Sequence, residues 1–103
     1  MRPLNDIAHG RAGDKGDTSN ISVVAYRKED WSIIEAEVTA EKVEALFSRF
    51  GPVKVRRYEL SNLHAMNFVI ENALGGGVNA SLAIDRHGKT LSSFLLAEFQ
   101  VSD

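Results

Sequence analysis

His9-Gly10-Arg11-Ala12-Gly13-Asp14-Lys15-Gly16-Asp17-Thr18-Ser19-Asn20 holds three glycines, two acids, two bases and a histidine in twelve residues, and Ala12 is its one apolar member. Flexible backbone with dense, mixed-sign polarity does not build a core. The stretch therefore reads as a surface loop, either held by its own hydrogen bonds or open to a ligand. The apolar scaffold must then lie on either side of it.

On the N-terminal side, Leu4 to His9 has Ile7 and Ala8 as its apolar centre and reads as a short first strand leading into the loop. On the C-terminal side, Ile21, Val23 and Ala25 alternate with Ser22, Val24 and Tyr26, a β-branched run that predicts a central strand. Asp30 is placed to cap a helix carrying Trp31, Ile34 and Val38, with a strand over Ile33 to Val38 as the alternative. Thr39 caps a second helix through Val43, Leu46, Phe47 and Phe50, which Gly51-Pro52 ends.

Val53 to Leu60 reads as a strand whose apolar parity switches at Arg56-Arg57, implying a bulge or a strand that uses both faces. Leu63, Met66, Ile70, Ala73 and Leu74 line up as one helical face, ended by Gly75-Gly76-Gly77, with Asn67 inside that face. Val78, Ala80, Leu82 and Ile84 alternate as a half-buried strand, and Asp85 to Lys89 forms a turn. A short helix or irregular turn near Thr90 to Leu96, followed by a strand, completes the chain. Strands mixed with helices and interrupted by no linker or repeat predict one domain over 1–103. Its class is α+β, a two-layer ferredoxin-like sandwich with a mainly antiparallel sheet and helices on one face. Open sheet edges in a chain of 103 residues favour pairing with a copy, so a homo-oligomer is expected.

Composition excludes several classes. Hydrophobic residues make up 44% and charged residues 25%, as in an ordinary globular protein. No run approaches the roughly 20 apolar residues of a spanning helix, and the N-terminus has no signal-peptide pattern, so no membrane partner and a cytoplasmic location are expected. With no cysteine there is no thiolate nucleophile or thiolate metal site, and a formal charge of −2 gives no general attraction to nucleic acid. No metal and no cofactor are implied.

The 9–20 stretch does not fit the standard ligand loops. A P-loop requires glycine before the lysine and a hydroxyl residue after it, then a helix, whereas Asp14 precedes Lys15, Gly16 follows it and a strand comes next. Asp14, Asp17 and Asn20 are spaced by three, not by the alternate-residue pattern of a calcium loop. One surviving reading has the backbone N–H groups with Arg11 and Lys15 cradling a carboxylate or phosphate while Asp14 or Asp17 acts on a proton. The competing reading has these charges pairing with one another to hold a long turn.

His9 can be a base, a ligand or a hydrogen-bonded hinge, and the hinge is favoured. His64 is the second titrating candidate, and His87 reads as a solvated turn residue. An asparagine on an inward helical face must find partners, so Asn67 is read as a clamp on the 9–20 loop in preference to a ligand contact.

Three stretches together resemble the C-terminal domain of the acyclic terpene utilisation protein A (AtuA) family. They are His9 to Asn20, then Asn62-Leu63-His64-Ala65-Met66-Asn67-Phe68 with Leu74-Gly75-Gly76-Gly77, then Ser81 to Lys89. The resemblance covers nearly the whole chain and implies a ferredoxin-like fold. It places His9, Arg11, Gly13, Asp14, Lys15, Gly16 and Asn20 in one signature, and Asn67 with the glycine turn in a second. It implies a role in catabolism of acyclic terpenoids or related acyl-CoA and organic acids, without naming a reaction. The family's longer members carry a large N-terminal domain, so a separate AtuA-like large subunit is the expected partner. The resulting expectation is an accessory subunit with ligand-binding candidates Arg11, Gly13, Asp14, Lys15, Gly16, Asn20 and Asn67 and catalytic candidates His9 and Asp14. A self-sufficient enzyme or binding module for an acyl-CoA or carboxylate is the alternative, and a purely structural homo-oligomer is the third reading.

Overall fold

A computed structural model describes residues 1–15, 18–48, 52–71 and 89–103, and of residues 14, 15, 89 and 90 it describes the backbone. The fold is built on a four-stranded antiparallel sheet. Strands β2 (Ala8–Lys15) and β3 (Thr18–Ala25) pair as a hairpin. Strands β4 (Lys54–Leu60) and β5 (Ala65–Glu71) pair likewise, and β5 lies against β3, giving the order β2-β3-β5-β4. Helices α1 (Lys28–Glu37), α2 (Ala40–Phe47) and α3 (Lys89–Glu98) pack on one side, over β3, β4 and β2 respectively. Short strands β1 (Arg2–Pro3) and β6 (Gln100–Val101) pair as a separate two-stranded sheet. The α+β, ferredoxin-like expectation holds. No described helix is long and apolar enough to cross a membrane.

Pleating sorts each strand between the two sides, because successive residues point to opposite faces. Ile21, Val23, Met66, Phe68, Ile70 and Val55 face the helices and are buried. They meet Ile34, Val43, Phe47, Leu91 and Leu95 in one core. Thr39 caps α2 as expected, its Oγ1 accepting the Lys42 amide at 3.2 Å. Its oxygen satisfies one of the amides that a helix N-terminus leaves unpaired. The tail also follows expectation, with α3 then β6.

Several local expectations are overturned. The 9–20 stretch is not a loop: its residues 9–15 and 18–20 belong to the strands of the β2–β3 hairpin, in unbroken register from Ala8↔Ala25 to Lys15↔Thr18. Its core-facing positions are filled by Ala8, Gly10, Ala12 and Ser19, which are too small to show as a hydrophobic alternation. Gly10 is required by packing, since a Cβ there would fall 2.1 Å from the Ser22 carbonyl oxygen with a Leu96 methyl at 3.7 Å. The expected strand over Leu4 to His9 is split, with Leu4–Asp6 forming a 3-10 turn before β2 starts at Ala8. Helix α1 begins at Lys28, earlier than the Asp30 cap required. Asp30 lies in its first turn, 3.6 Å from Arg27.

The helix expected over Leu63 to Leu74 is strand β5 as far as Glu71, preceded by a 3-10 turn at Ser61–Leu63. Met66 and Ile70 are four apart, a spacing that satisfies a helix and a strand equally. Phe68 between them, also fully buried, decides for the strand. No bulge interrupts β4, whose register against β5 is continuous from Lys54↔Glu71 to Leu60↔Ala65. The parity switch is real and means that Tyr58 and Leu60 lie on the other face, 51% and 49% exposed. The expected strand over Val78 to Ile84, the glycine run at 75–77 and the turn at 85–88 lie outside the described residues.

Candidate functional site

Opposite the helices, the sheet presents a face on which no other described element packs. The registers arrange its side chains in rows that cross all four strands. Arg11, Ser22, Asn67 and Tyr58 form the central row. On one side of it lies Gly13, Asn20, Val69 and Arg56, and on the other lies His9, Val24, Ala65 and Leu60. Directly opposed side chains on such a face stand about 5 Å apart, so members of one row are neighbours. Four residues singled out in the sequence, Arg11, Gly13, Asn20 and Asn67, come together here although Asn67 is 47 or more positions from the other three.

Among the described residues, the side chains of Arg11, Asn20, Ser22, Asn67 and Tyr58 make no hydrogen bond or ion pair. Asn67 is thus not the expected clamp: it is half-buried on the uncovered face, not inside a helix–loop contact. Arg11 forms no ion pair among the described residues, and the side chains of Asp14, Lys15 and Asp17, with which one reading of the 9–20 charges pairs it, lie outside them. Asp14 and Lys15 pair in register with Ser19 and Thr18, so the backbone at Asp14 alternates with that at Arg11 and Gly13. Gly16 and Asp17 lie outside the described residues. A Cβ added at Gly13 would meet nothing within 4 Å, so the surface dips beside Arg11 and Asn20.

His9 sits at the edge of this face, its ring 5.0 Å from the Tyr26 ring. It is exposed, and the hydrogen bond that a hinge role requires is absent among the described residues. His64 holds a left-handed backbone (φ 50°) at the turn into β5, where its carbonyl accepts the Ala25 amide at 3.0 Å. Its ring lies 6.3 Å from Trp31. Among the described residues no group of three or more His, Cys, Asp or Glu is placed to hold a metal ion.

Two clefts adjoin the face. One of about 500 Å³ is lined by Glu59, Leu60, Ser61, Asn62 and Leu63, at the β4 end of the His9–Leu60 row. The other, of about 440 Å³, runs along β2 against α3 and is lined by Gly10, Arg11, Ala12, Ser92 and Ser93.

Charge is unevenly distributed. The described side chains of the uncovered face carry Arg11, Arg56 and Lys54 against a single acid, Glu71, which lies 3.8 Å from Arg56. On the helix side, Arg57 turns inward and its Nη1 donates to the Glu35 and Val38 carbonyls, at 2.9 Å each. The shifted carboxyls lie on that side as well. Glu35 is raised above its usual range by a hydrogen bond with Glu59, then by desolvation and the Glu59 charge. Glu37 is lowered by hydrogen bonds from the Ser102 hydroxyl and amide.

Ser22 and Tyr58 were missed in the sequence. Ser22 was visible as the polar member of the alternation Asn20, Ser22, Val24, and Tyr58 as the residue where parity switches in β4. No curated protein and no solved structure matches the chain. The model of the AtuA ferredoxin-like domain matches residues 2–102, and the chain belongs to that family.

Proposed function

We propose that this chain is a small accessory subunit of an AtuA-like assembly, acting in catabolism of acyclic terpenoids or related acyl-CoA and organic acids, with the uncovered sheet face as its working surface. The observation that carries the reading is the set of five polar side chains on that face, Arg11, Asn20, Ser22, Asn67 and Tyr58, that make no side-chain bond among the described residues. Polar groups buried by folding are normally paired, whereas these five are exposed or half-buried. Groups left unpaired on one face are available to something outside the fold.

Exposed apolar side chains border the same face: Tyr58 at 51%, Leu60 at 49% and Leu63 at 67% exposure. Aromatic and arginine side chains beside apolar area are the usual composition of a protein interface centre. A homo-oligomer formed through this face would bring a net positive surface against itself, so a different chain is the better-matched occupant. The large AtuA-like chain is that occupant in this reading.

Purification of the tagged chain from its native cell tests it. The expected result is recovery, near one to one, of a large chain that mass spectrometry identifies as AtuA-like, with recovery lost in Tyr58→Glu while the variant keeps the wild-type melting temperature. Recovery of the small chain alone, or retention of the large chain by Tyr58→Glu, overturns the proposal.

A further inference from the structure

The face is sorted by chemistry from row to row. Its central row is rich in donors: a guanidinium with five N–H groups and no acceptor, an amide and two hydroxyls, with no carboxylate among them. Arg11 forms no ion pair among the described residues, and the described side chains of the face are net positive on a chain whose formal charge is −2. Such a row favours an anion, and a planar guanidinium favours one with two oxygens in its plane, a carboxylate or phosphate.

The adjoining row is apolar over Val24, Ala65 and Leu60. Two residues along a strand separate the rows, about 7 Å. This apolar row ends where Leu60 and Leu63 line the cleft of about 500 Å³. That volume is within the usual range for a small-molecule site. At its other end the His9–Tyr26 ring pair stands at the sheet edge.

We propose that this face binds a small organic anion with an apolar body. Its carboxylate or phosphate head rests on Arg11, Ser22, Asn67 and Tyr58. Its hydrocarbon part lies along Val24 and Leu60, across the buried Ala65 between them, toward the cleft. The proposal rests on the reading of this face as the working surface and adds to it a ligand class and an orientation.

Amide chemical shifts of the full chain, titrated with hexanoate, hexyl phosphate, hexylamine and acetate, provide the test. Hexanoate or hexyl phosphate should move the amides of both rows, and the tighter of the two identifies the head group. Acetate should move the central row only and bind more weakly, and hexylamine should leave both rows unmoved. Arg11→Ala should weaken the better anion about tenfold or more, the loss of a charge-assisted pair, at unchanged melting temperature. Asn67→Ala should weaken it by a smaller factor. Equal response to hexylamine, shifts confined to other surfaces, or an affinity untouched by both substitutions overturns the proposal. If neither anion binds while Tyr58→Glu still releases the large chain, the ligand fails and the subunit reading survives. If an anion binds in an Arg11-dependent way and no large chain is recovered, the reverse holds.

Discussion

The two faces of the four-stranded sheet are made by the same strands, residue by residue in alternation, and share almost no chemistry. Against the helices lie Ile21, Val23, Met66, Phe68 and Ile70, all fully buried. On the other face lie Arg11, Asn20, Ser22, Asn67 and Tyr58, exposed or half-buried, with no side-chain partner among the described residues. Adjacent arginines make the contrast plainest. Arg57 is held by two backbone carbonyls at the end of α1. Among the described residues Arg56 reaches only the exposed Glu71 carboxylate at 3.8 Å, a contact of the kind that contributes at most about 1 kcal/mol. One face builds the apolar core, and the other carries polar groups that make no side-chain bond among the described residues.

The strongest way to break this contrast is to truncate neighbours that point to opposite faces. Phe68→Ala should cost about 3–5 kcal/mol in urea unfolding, because it removes a fully buried ring from the core. Asn67→Ala should change stability by no more than about 0.5 kcal/mol. A loss of 1 kcal/mol or more at Asn67, of order a lost buried hydrogen bond, would restore the clamp reading.

A second comparison uses the two glycines of β2. Gly10→Ala should destabilise by about 1–3 kcal/mol, since its Cβ would overlap the Ser22 carbonyl. Gly13→Ala, facing open space, should stay within about 0.5 kcal/mol of wild type in the same measurement. A Gly13 variant that folds normally but loses anion binding would place the dip beside Arg11 in the ligand's footprint.

The smallest effect expected is pH-dependent and confined to the helix layer. Glu37 is held below the ordinary carboxyl value of 4.5 by Ser102, so it binds fewer protons folded than unfolded. Its contribution is present above 4.5 and is lost as pH falls through the lower folded value. Glu37→Gln should therefore flatten the fall of the melting temperature below about pH 4.5 and leave the profile near neutrality little changed. Glu35 has the opposite sign: raised by Glu59, it favours the fold below 4.5, and that advantage disappears as pH rises through its folded value. An acid limb unchanged in Glu37→Gln would remove the Ser102 contact as its source.

Much of this was legible in the residue order. The α+β class, the Thr39 cap, the β-branched run of β3 and the helix followed by a strand at the C-terminus were all read correctly. Each rests on local chemistry that needs no distant partner: a hydroxyl before an apolar period, branched side chains in alternation, a helical repeat ending in an extended pair. Arg11, Gly13, Asn20 and Asn67 are also singled out in the sequence, Gly13 and Asn20 through the family resemblance, and the strand registers bring all four onto one face. What failed was the reading of small residues and shared periods. Gly10, Ala12 and Ser19 turn inward without a hydrophobic signal, so most of β2 and the first residues of β3 read as a loop. Met66 and Ile70 fit both repeats, so β5 was mistaken for a helix.

Sequence by itself determined which side chains are apolar, which are donors and where the caps fall, because those properties belong to each residue and its near neighbours. Only the tertiary structure decided that residues near positions 11, 22, 58 and 67 form one row. Strand pairing is a contact between distant segments, and a shift of one residue in register would send each side chain to the opposite face. The burial of Ile21, Phe68 and Val55 against the helices fixes that register. By fixing it, the core sets Arg11, Ser22, Asn67 and Tyr58 side by side on the face that no other described element covers.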